Sequence, residues 1–274
     1  SLALQIRHLS RIARTSDEGV ERLYAYKGLL YAGLSLPDGE KRCLQVVKLL
    51  NNTLTKHILP DGGYYERSPS AHLTVMRHLI DMQKSLIIAD QPPLDLLNNA
   101  ISTMASVLRT YRHGDGSLAL FNSSIEEEPW LIDLVLAQSN AKGRAQENIL
   151  DVGFRRIQAG RTILITDQGV PAKQSQRGHA GLLSFELSTG KERLIVNCGC
   201  WRGSDEKWRR ALRATAAHST LTVNDTNSCE LFDDGSIGVG PKNVPSRRND
   251  QDGASWLEAG HDGYCEPFGL MHNR

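Results

Sequence analysis

The sequence has no apolar run long enough to cross a membrane and almost no net charge. Its longest apolar run, residues 28–36, is far shorter than the roughly 20 residues of a spanning helix, so we expect no membrane span. Lys and Arg number 32 against 31 Asp and Glu, and the net charge of +1 predicts neither nucleic-acid nor membrane-surface binding. No secretory leader is recognisable in residues 1–14, because their arginines are followed by no apolar stretch.

Cysteine is also scarce, and its spacing is unsuited to a structural role. Five cysteines, an odd number, argue against a disulfide framework. Cys198 and Cys200 form a CxC pair with no second pair elsewhere, which disfavours a structural zinc site.

What the sequence does contain is two successive kinds of hydrophobic pattern. Up to about residue 113, apolar residues recur at helical spacing and predict helices over about 20–35, 44–58, 71–89 and 96–108, joined by short turns. Beyond about residue 150, short β-branched runs at 162–166, 182–187, 194–197 and 219–223 predict antiparallel strands. The pattern therefore indicates an α+β protein of packed helical hairpins followed by a β-sandwich.

The first group of side chains that could act in catalysis or binding lies in the turn at residues 61–72. Two glycines free the backbone there, and two tyrosines, a Glu, an Arg and a His follow within ten residues. The alternative is an ordinary helix entry, with Ser68 as N-cap and Pro69 at the first helical position. The residues that could act in a cleft are Tyr64, Tyr65, Glu66, Arg67 and His72.

The second group is spread over the predicted strands. His179 precedes one strand, Asn197 ends the next, and His218 precedes a third. If these strands are neighbours, two imidazoles and an amide oxygen converge and could hold zinc or another divalent metal. The alternative is two hydrogen-bonded histidines at strand ends.

The third group is an aromatic and basic segment before His218. Trp208, Arg209 and Arg213 combine a ring for stacking on a sugar with guanidinium groups for a carboxylate or sulfate. No nucleic-acid-binding motif accompanies them, so we expect no nucleic-acid partner. The alternative is a solvated basic helix.

Taken in order, these segments resemble the heparinase II/III family of polysaccharide lyases, particularly its alphaproteobacterial members. The resemblance implies an α/α toroid followed by an antiparallel β-sandwich, here truncated at both ends. We divide the chain into a toroid fragment at 1–113, a linker at 114–150 and an incomplete β-sandwich at 151–274. The matching segments are 58–72, 112–116 with Phe121, 178–188, 197–199, 213–223 and 261–274.

The family chemistry that the resemblance implies is β-elimination at a uronic acid. His72 matches the histidine of the family's Glu-x-Ser-Pro-x-Tyr-His pattern, but Ala71 stands in place of the tyrosine. His179 and His218 match histidines of the sandwich, several members of the family holding a metal there with two His and an Asp. Gly181 stands where many members have Asp, and Asn197 replaces the usual Asp ligand, which weakens affinity for a divalent cation.

Two functions remain open on this basis. The first is a polysaccharide lyase in which Tyr65 or Tyr64 acts with His72 and His179, and Arg67 neutralises the sugar carboxylate. The second is a degenerate lyase scaffold that binds an acidic polysaccharide or oligosaccharide without cleaving it; a glycoside hydrolase is a weaker third, because Glu66 has no evident carboxylate partner. We expect further substrate contacts from His261 and Tyr264, and a periplasmic location by family analogy, with a cytoplasmic one as the alternative.

Overall fold

The helical pattern of the first 113 residues folds into a bundle of successive hairpins. A computed structural model describes residues 1–15, 19–37, 39–173 and 175–274. Helix α2 packs on α1, α3 and α4, and α4 packs on α5 and α6. The helices are α1 (Leu2–Thr15), α2 (Val20–Ser35), α3 (Glu40–His57), α4 (Pro69–Ile88), α5 (Asp95–Thr110) and α6 (Pro129–Gln138).

The four predicted helices are confirmed as α2 to α5. Helix α4 begins as its sequence indicates, with the Ser68 hydroxyl accepting a hydrogen bond from the Ala71 amide and Pro69 in the first turn. Helix α6 lies within the segment predicted as a linker, and the domain boundaries stay a prediction. None of the described helices is long and apolar enough to cross a lipid bilayer.

The C-terminal half contains two antiparallel sheets. The first has the strand order β1-β2-β3-β4-β5, and the second has the order β6-β7-β8. The chain is thus an α+β protein, as predicted. The strands are β1 (Asn148–Ile149), β2 (Phe154–Ala159), β3 (Thr162–Asp167), β4 (Phe185–Thr189), β5 (Glu192–Ile195), β6 (Ser246–Gln251), β7 (Ala254–His261) and β8 (His272–Asn273), with two short helices, α7 (Glu206–Arg213) and α8 (Cys265–Phe268).

The strand predicted at 219–223 does not form. Only Val223 makes an isolated bridge, to Thr226. Side chains instead fasten this run to the first sheet, the Ser219 hydroxyl bonding to the Phe185 carbonyl at 2.5 Å and the Thr220 hydroxyl to the Leu182 carbonyl at 2.8 Å. These side-chain bonds hold the run beside the first sheet without a ladder of backbone hydrogen bonds.

One continuous hydrophobic core joins the helices to the first sheet. Ile163 and Ile165 of β3 are buried towards the helices, while Leu164 between them is half-buried on the opposite face. Phe154 of β2 packs its ring 5.3 Å from that of Tyr111, just after α5. The helical half and the first sheet therefore share one buried interface.

Candidate functional site

A cleft of about 550 Å³ lies where the helical half meets the sheets. Glu21, Glu66 and Ser123 line it from the helical half. The opposite wall includes Arg177, His179 and Trp201 from loops next to the first sheet, and Arg209 from α7. These groups bring both charge signs and an aromatic ring to one surface.

Arg177 bridges the two glutamates of this cleft. Its Nε donates to Glu66 Oε2 at 3.0 Å, and its Nη2 lies 3.5 Å from Glu21 Oε1. Burial raises the pKa of Glu66 to about 7, against the lowering effect of Arg177 and with a further increase from Glu21. The structure thus supplies the second carboxylate that the sequence did not reveal, but it places a guanidinium between the pair.

Backbone in the left-handed region shapes the wall that carries these groups. Arg67, Asn122 and Ser123 have φ of 60°, 46° and 55°, a conformation that is costly for residues other than glycine. Asn122 compensates by donating from its amide to the Arg67 carbonyl at 3.1 Å and by accepting from the His179 amide at 3.2 Å. The Asn122 side chain therefore links the loop before α4 to the loop that carries His179.

His72 does not reach the cleft. Its side chain is 1% exposed, and its Nε2 donates to the Met104 carbonyl of α5 at 2.9 Å. Burial lowers the pKa of His72 to about 4, and its Nδ1 has no hydrogen-bond partner among the described residues. The predicted proton-transfer role of His72 is not compatible with this position between helices.

The two tyrosines proposed to replace the missing family tyrosine differ in their position relative to the cleft. Tyr64 is buried, and burial raises the pKa of its hydroxyl far above the usual range, so it cannot serve as a base near neutral pH. Tyr65 is half-buried with its ring 4.4 Å from that of His57, and its hydroxyl bonds to the Glu66 carboxylate. Of the two, only Tyr65 contacts a residue of the cleft wall by its side-chain hydroxyl.

Arg67, predicted to neutralise a sugar carboxylate, is turned into the interior. Its guanidinium pairs with Asp167 and donates to the carbonyls of Val152 at 2.8 Å and Val170 at 3.2 Å. It also lies over the Phe154 ring, 5.2 Å from the centroid. Arg67 thus joins the helical half to the first sheet, whereas Arg177 faces the cleft.

Part of the aromatic and basic segment lies at the cleft, where Arg209 lines it and Trp208 stacks on Trp201 of the wall. Trp201 and Trp208 stack with centroids 6.0 Å apart and both rings are about half exposed. Arg209 and Arg213 both line the cleft, but the guanidinium of Arg213 is held by four backbone carbonyls. Those carbonyls belong to Gly178, Phe232, Gly235 and Ser236, so Arg213 holds the surrounding loops together.

His261 and Tyr264, expected to touch substrate, lie in the interior of the β half. His261 Nε2 is 3.0 Å from His272 Nδ1, and the Tyr264 hydroxyl donates to the Leu221 and Thr226 carbonyls. Both side chains are fully buried. They fasten the C-terminal segment to the β half.

The three residues predicted to bind metal do lie together, and we call them the histidine row. His179 Nδ1 is 3.2 Å from His218 Nε2, and His218 Nδ1 is 3.3 Å from Asn197 Oδ1. Burial lowers the pKa of His179 well below its usual range and that of His218 to about 4. Within the described residues, no group of three or more His, Cys, Asp or Glu side chains is arranged to hold a metal ion.

Sequence reasoning overlooked Glu21, Arg177 and Trp201 as members of one cleft. Arg177 and Trp201 adjoin His179 and the CxC pair, and so could have been ranked with them. Glu21 is more than forty positions from any other cleft residue. Only the packing of α2 against α4 brings it near, which no local pattern encodes.

Comparison with known sequences finds two relationships. Residues 141–274 match the family described as "Heparinase II/III-like, C-terminal". The whole chain is 31% identical over 282 aligned residues to the FtsZ-localized protein C of Caulobacter vibrioides, covering 48% of that protein.

Solved structures share the fold. A crystal structure of heparinase III superposes with a TM-score of 0.70 at 16% identity, over 95% of this chain and 47% of that one. The heparan sulfate lyase HepC from Pedobacter heparinus gives 0.68 at 19% identity, over 99% of this chain and 45% of that one. The chain spans about half the length of the relatives that it matches.

Proposed function

Because residues 141–274 belong to the heparinase II/III-like family, we propose that this polysaccharide-lyase scaffold binds an acidic saccharide in its cleft without cleaving it. The observation that carries the proposal is the position of His72. An imidazole locked between two helices cannot exchange a proton with a sugar in the cleft.

The remaining groups of the expected proton-transfer set support the same conclusion. Ala71 has no ionisable group, Tyr64 is buried, the Tyr65 hydroxyl is bonded to the Glu66 carboxylate, and both ring nitrogens of His179 are engaged by protein atoms. β-Elimination needs a base at C5 and an acid at the departing O4, and these positions supply neither. The relative from Caulobacter vibrioides is named for where it localises, which is compatible with a binding role.

Binding is supported by what the cleft retains. Trp201 and Trp208 offer aromatic faces at the rim, and Arg209 stands beside them with its side chain 45% exposed. Stacked rings and guanidinium groups recognise the ring and the anionic group of an acidic sugar. Arg177 adds a second cation if an anion displaces its bond to Glu21, whose side chain is 68% exposed.

The test incubates the full-length protein with alginate, polygalacturonate, hyaluronan and heparan sulfate, and uses dextran as a neutral control. We expect binding of at least one acidic polymer by calorimetry with no absorbance from a new sugar double bond. Formation of that double bond would restore the lyase hypothesis. Release of reducing ends without it would instead favour hydrolysis by Glu21 and Glu66.

A matched pair of variants locates the binding surface. Trp208→Ala removes one ring of the stacked pair, and we expect about a tenfold weaker affinity for the bound polymer. Trp256→Ala removes a ring of similar exposure on β7, outside the cleft, and leaves affinity unchanged. Equal affinities for the two variants would place the binding surface elsewhere.

A further inference from the structure

The histidine row makes a further hydrogen bond at each of its ends. At the cleft end, the Ser123 amide lies 2.9 Å from His179 Nε2. At the inner end, Asn197 Nδ2 lies 3.4 Å from Glu186 Oε1. All of these side chains except that of Ser123 are at least nine-tenths buried, so each polar atom needs a partner within the protein.

The Ser123 amide fixes the direction of every bond in the row. A backbone N–H can only donate, so His179 Nε2 accepts and carries no proton. The proton of a neutral His179 is then on Nδ1, which donates to His218 Nε2. His218 in turn carries its proton on Nδ1 and donates to Asn197 Oδ1.

The Ser123 hydroxyl is consistent with this assignment. It lies 2.9 Å from His179 Nε2 and 3.0 Å from the Arg177 carbonyl, and its one proton can be donated to either acceptor. A proton on Nε2 would instead point at the amide hydrogen of Ser123. The hydroxyl therefore leaves the direction of the row unchanged.

Glu186 is the last acceptor at the inner end of the histidine row, and its contact with Asn197 explains why an amide side chain stands at position 197. Its carboxylate accepts from the amides of Leu120 at 2.8 Å and Asn197 at 3.2 Å, from His113 Nε2 at 3.1 Å and from Arg193 Nη1 at 3.2 Å. The Asn197 side chain is both acceptor for His218 and donor to Glu186. An aspartate could do the first but would face Glu186 as a second carboxylate.

The same bonds leave no set of ligands for one ion. A metal on His179 Nδ1 would need that nitrogen unprotonated, which the Ser123 amide prevents. Asn197 contacts the nitrogen of His218 on the far side of the ring from His179, so the three residues do not face a common point. At Gly181 a Cβ atom would lie 3.0 Å from the His218 ring, so an added side chain there requires that ring to move.

We propose that the histidine row is a metal-free, one-directional set of hydrogen bonds that joins the Ser123 turn of the cleft to Glu186, and that Asn197 is required there as an amide. This role differs from the metal site implied by the family resemblance, and it does not depend on whether the cleft binds a saccharide.

The deciding experiment is Asn197→Asp in the full chain, with Asn99→Asp on the exposed face of α5 as the matched control. We expect the folding equilibrium constant of Asn197→Asp, from urea denaturation at pH 7.5, to fall by about tenfold or more, equally with and without added zinc chloride. The control stays near wild type. Zinc-dependent stabilisation of Asn197→Asp, with one zinc bound per chain by mass spectrometry, would show a degraded metal centre and overturn the proposal.

A measurement on the wild-type protein keeps the proposal testable if that variant does not fold. Nitrogen-15 NMR of ring-labelled histidine distinguishes the two neutral tautomers. We expect the Nδ1–H form for both His179 and His218, unchanged by zinc chloride. The variants His179→Gln and His218→Gln assign the NMR signals to the two residues, because each variant lacks one set of ring signals. An Nε2–H form for either residue, or a shift on adding zinc, would overturn the proposal.

Discussion

At the scale of single residues, the chemistry open to a side chain depends on its burial and its hydrogen-bond partners. His72 and His179 both matched family histidines, yet one packs between α4 and α5 and the other is held between Ser123 and His218. Their residue types could be predicted to matter from the sequence. The burial of His72 away from the cleft and the engagement of both His179 ring nitrogens could not, because both depend on segments that meet across long sequence separations.

Glu66 gives the first prediction at this scale. Its folded pKa of about 7 is above the ordinary 4.5, so the folded state binds the proton more tightly than the unfolded state. This contribution to the free energy of unfolding is present below pH 4.5 and is lost as the pH rises to about 7. Glu66→Gln lacks this titrating group and therefore this loss. We expect its free energy of unfolding, measured relative to that of the wild type, to rise by about 2–3 kcal/mol between pH 4.5 and 7.5.

Urea denaturation from pH 4.5 to 8 measures this difference. Glu192→Gln, at an exposed position of β5, serves as the control and follows the wild-type profile. Parallel profiles for wild type and Glu66→Gln would contradict the burial effect assigned to this carboxyl.

At the scale of elements, period and capping predicted the helices better than the strands. Helices α2 to α5 follow an apolar repeat closed by turn residues, and both the Ser68 cap and Pro69 are where the sequence placed them. Strand β6 could not be predicted from hydrophobic alternation, since Ser246–Gln251 contains no apolar residue. It forms because β7 pairs with it along its whole length.

The cap of α4 supports a prediction of its own. Ser68→Ala removes the acceptor for the Ala71 amide, and we expect a loss of about 1 kcal/mol in the free energy of unfolding. Ser204→Ala, at an exposed position, gives the baseline for removing a serine hydroxyl. Indistinguishable urea midpoints for the two variants would show that the cap contributes nothing.

At the scale of the whole molecule, the helical half and the first sheet share one core and one buried ion pair. Arg67 reaches from the end of the loop before α4 to Asp167 at the end of β3, and both side chains are almost fully buried. The change of hydrophobic period near residue 150 marked the boundary between halves. It carried no sign that the two halves would be joined by a charged pair.

The ion pair predicts strong coupling between the halves. Arg67→Leu leaves the Asp167 carboxylate buried without its cation, and we expect a loss of about 3–5 kcal/mol in the free energy of unfolding. Adding Asp167→Asn to Arg67→Leu removes that charge and recovers part of the loss. Losses that simply add in the double variant would contradict the coupling.

The bond between Asn197 and Glu186 also bears on how this scaffold can evolve. Restoring a carboxylate at position 197 places two anions together before any cation is recruited, and restoring one at 181 presses on the His218 ring. Each of these two substitutions made alone is therefore deleterious, whatever advantage the two carboxylates together would confer. Such sign epistasis would make a metal site at this place hard to build one substitution at a time.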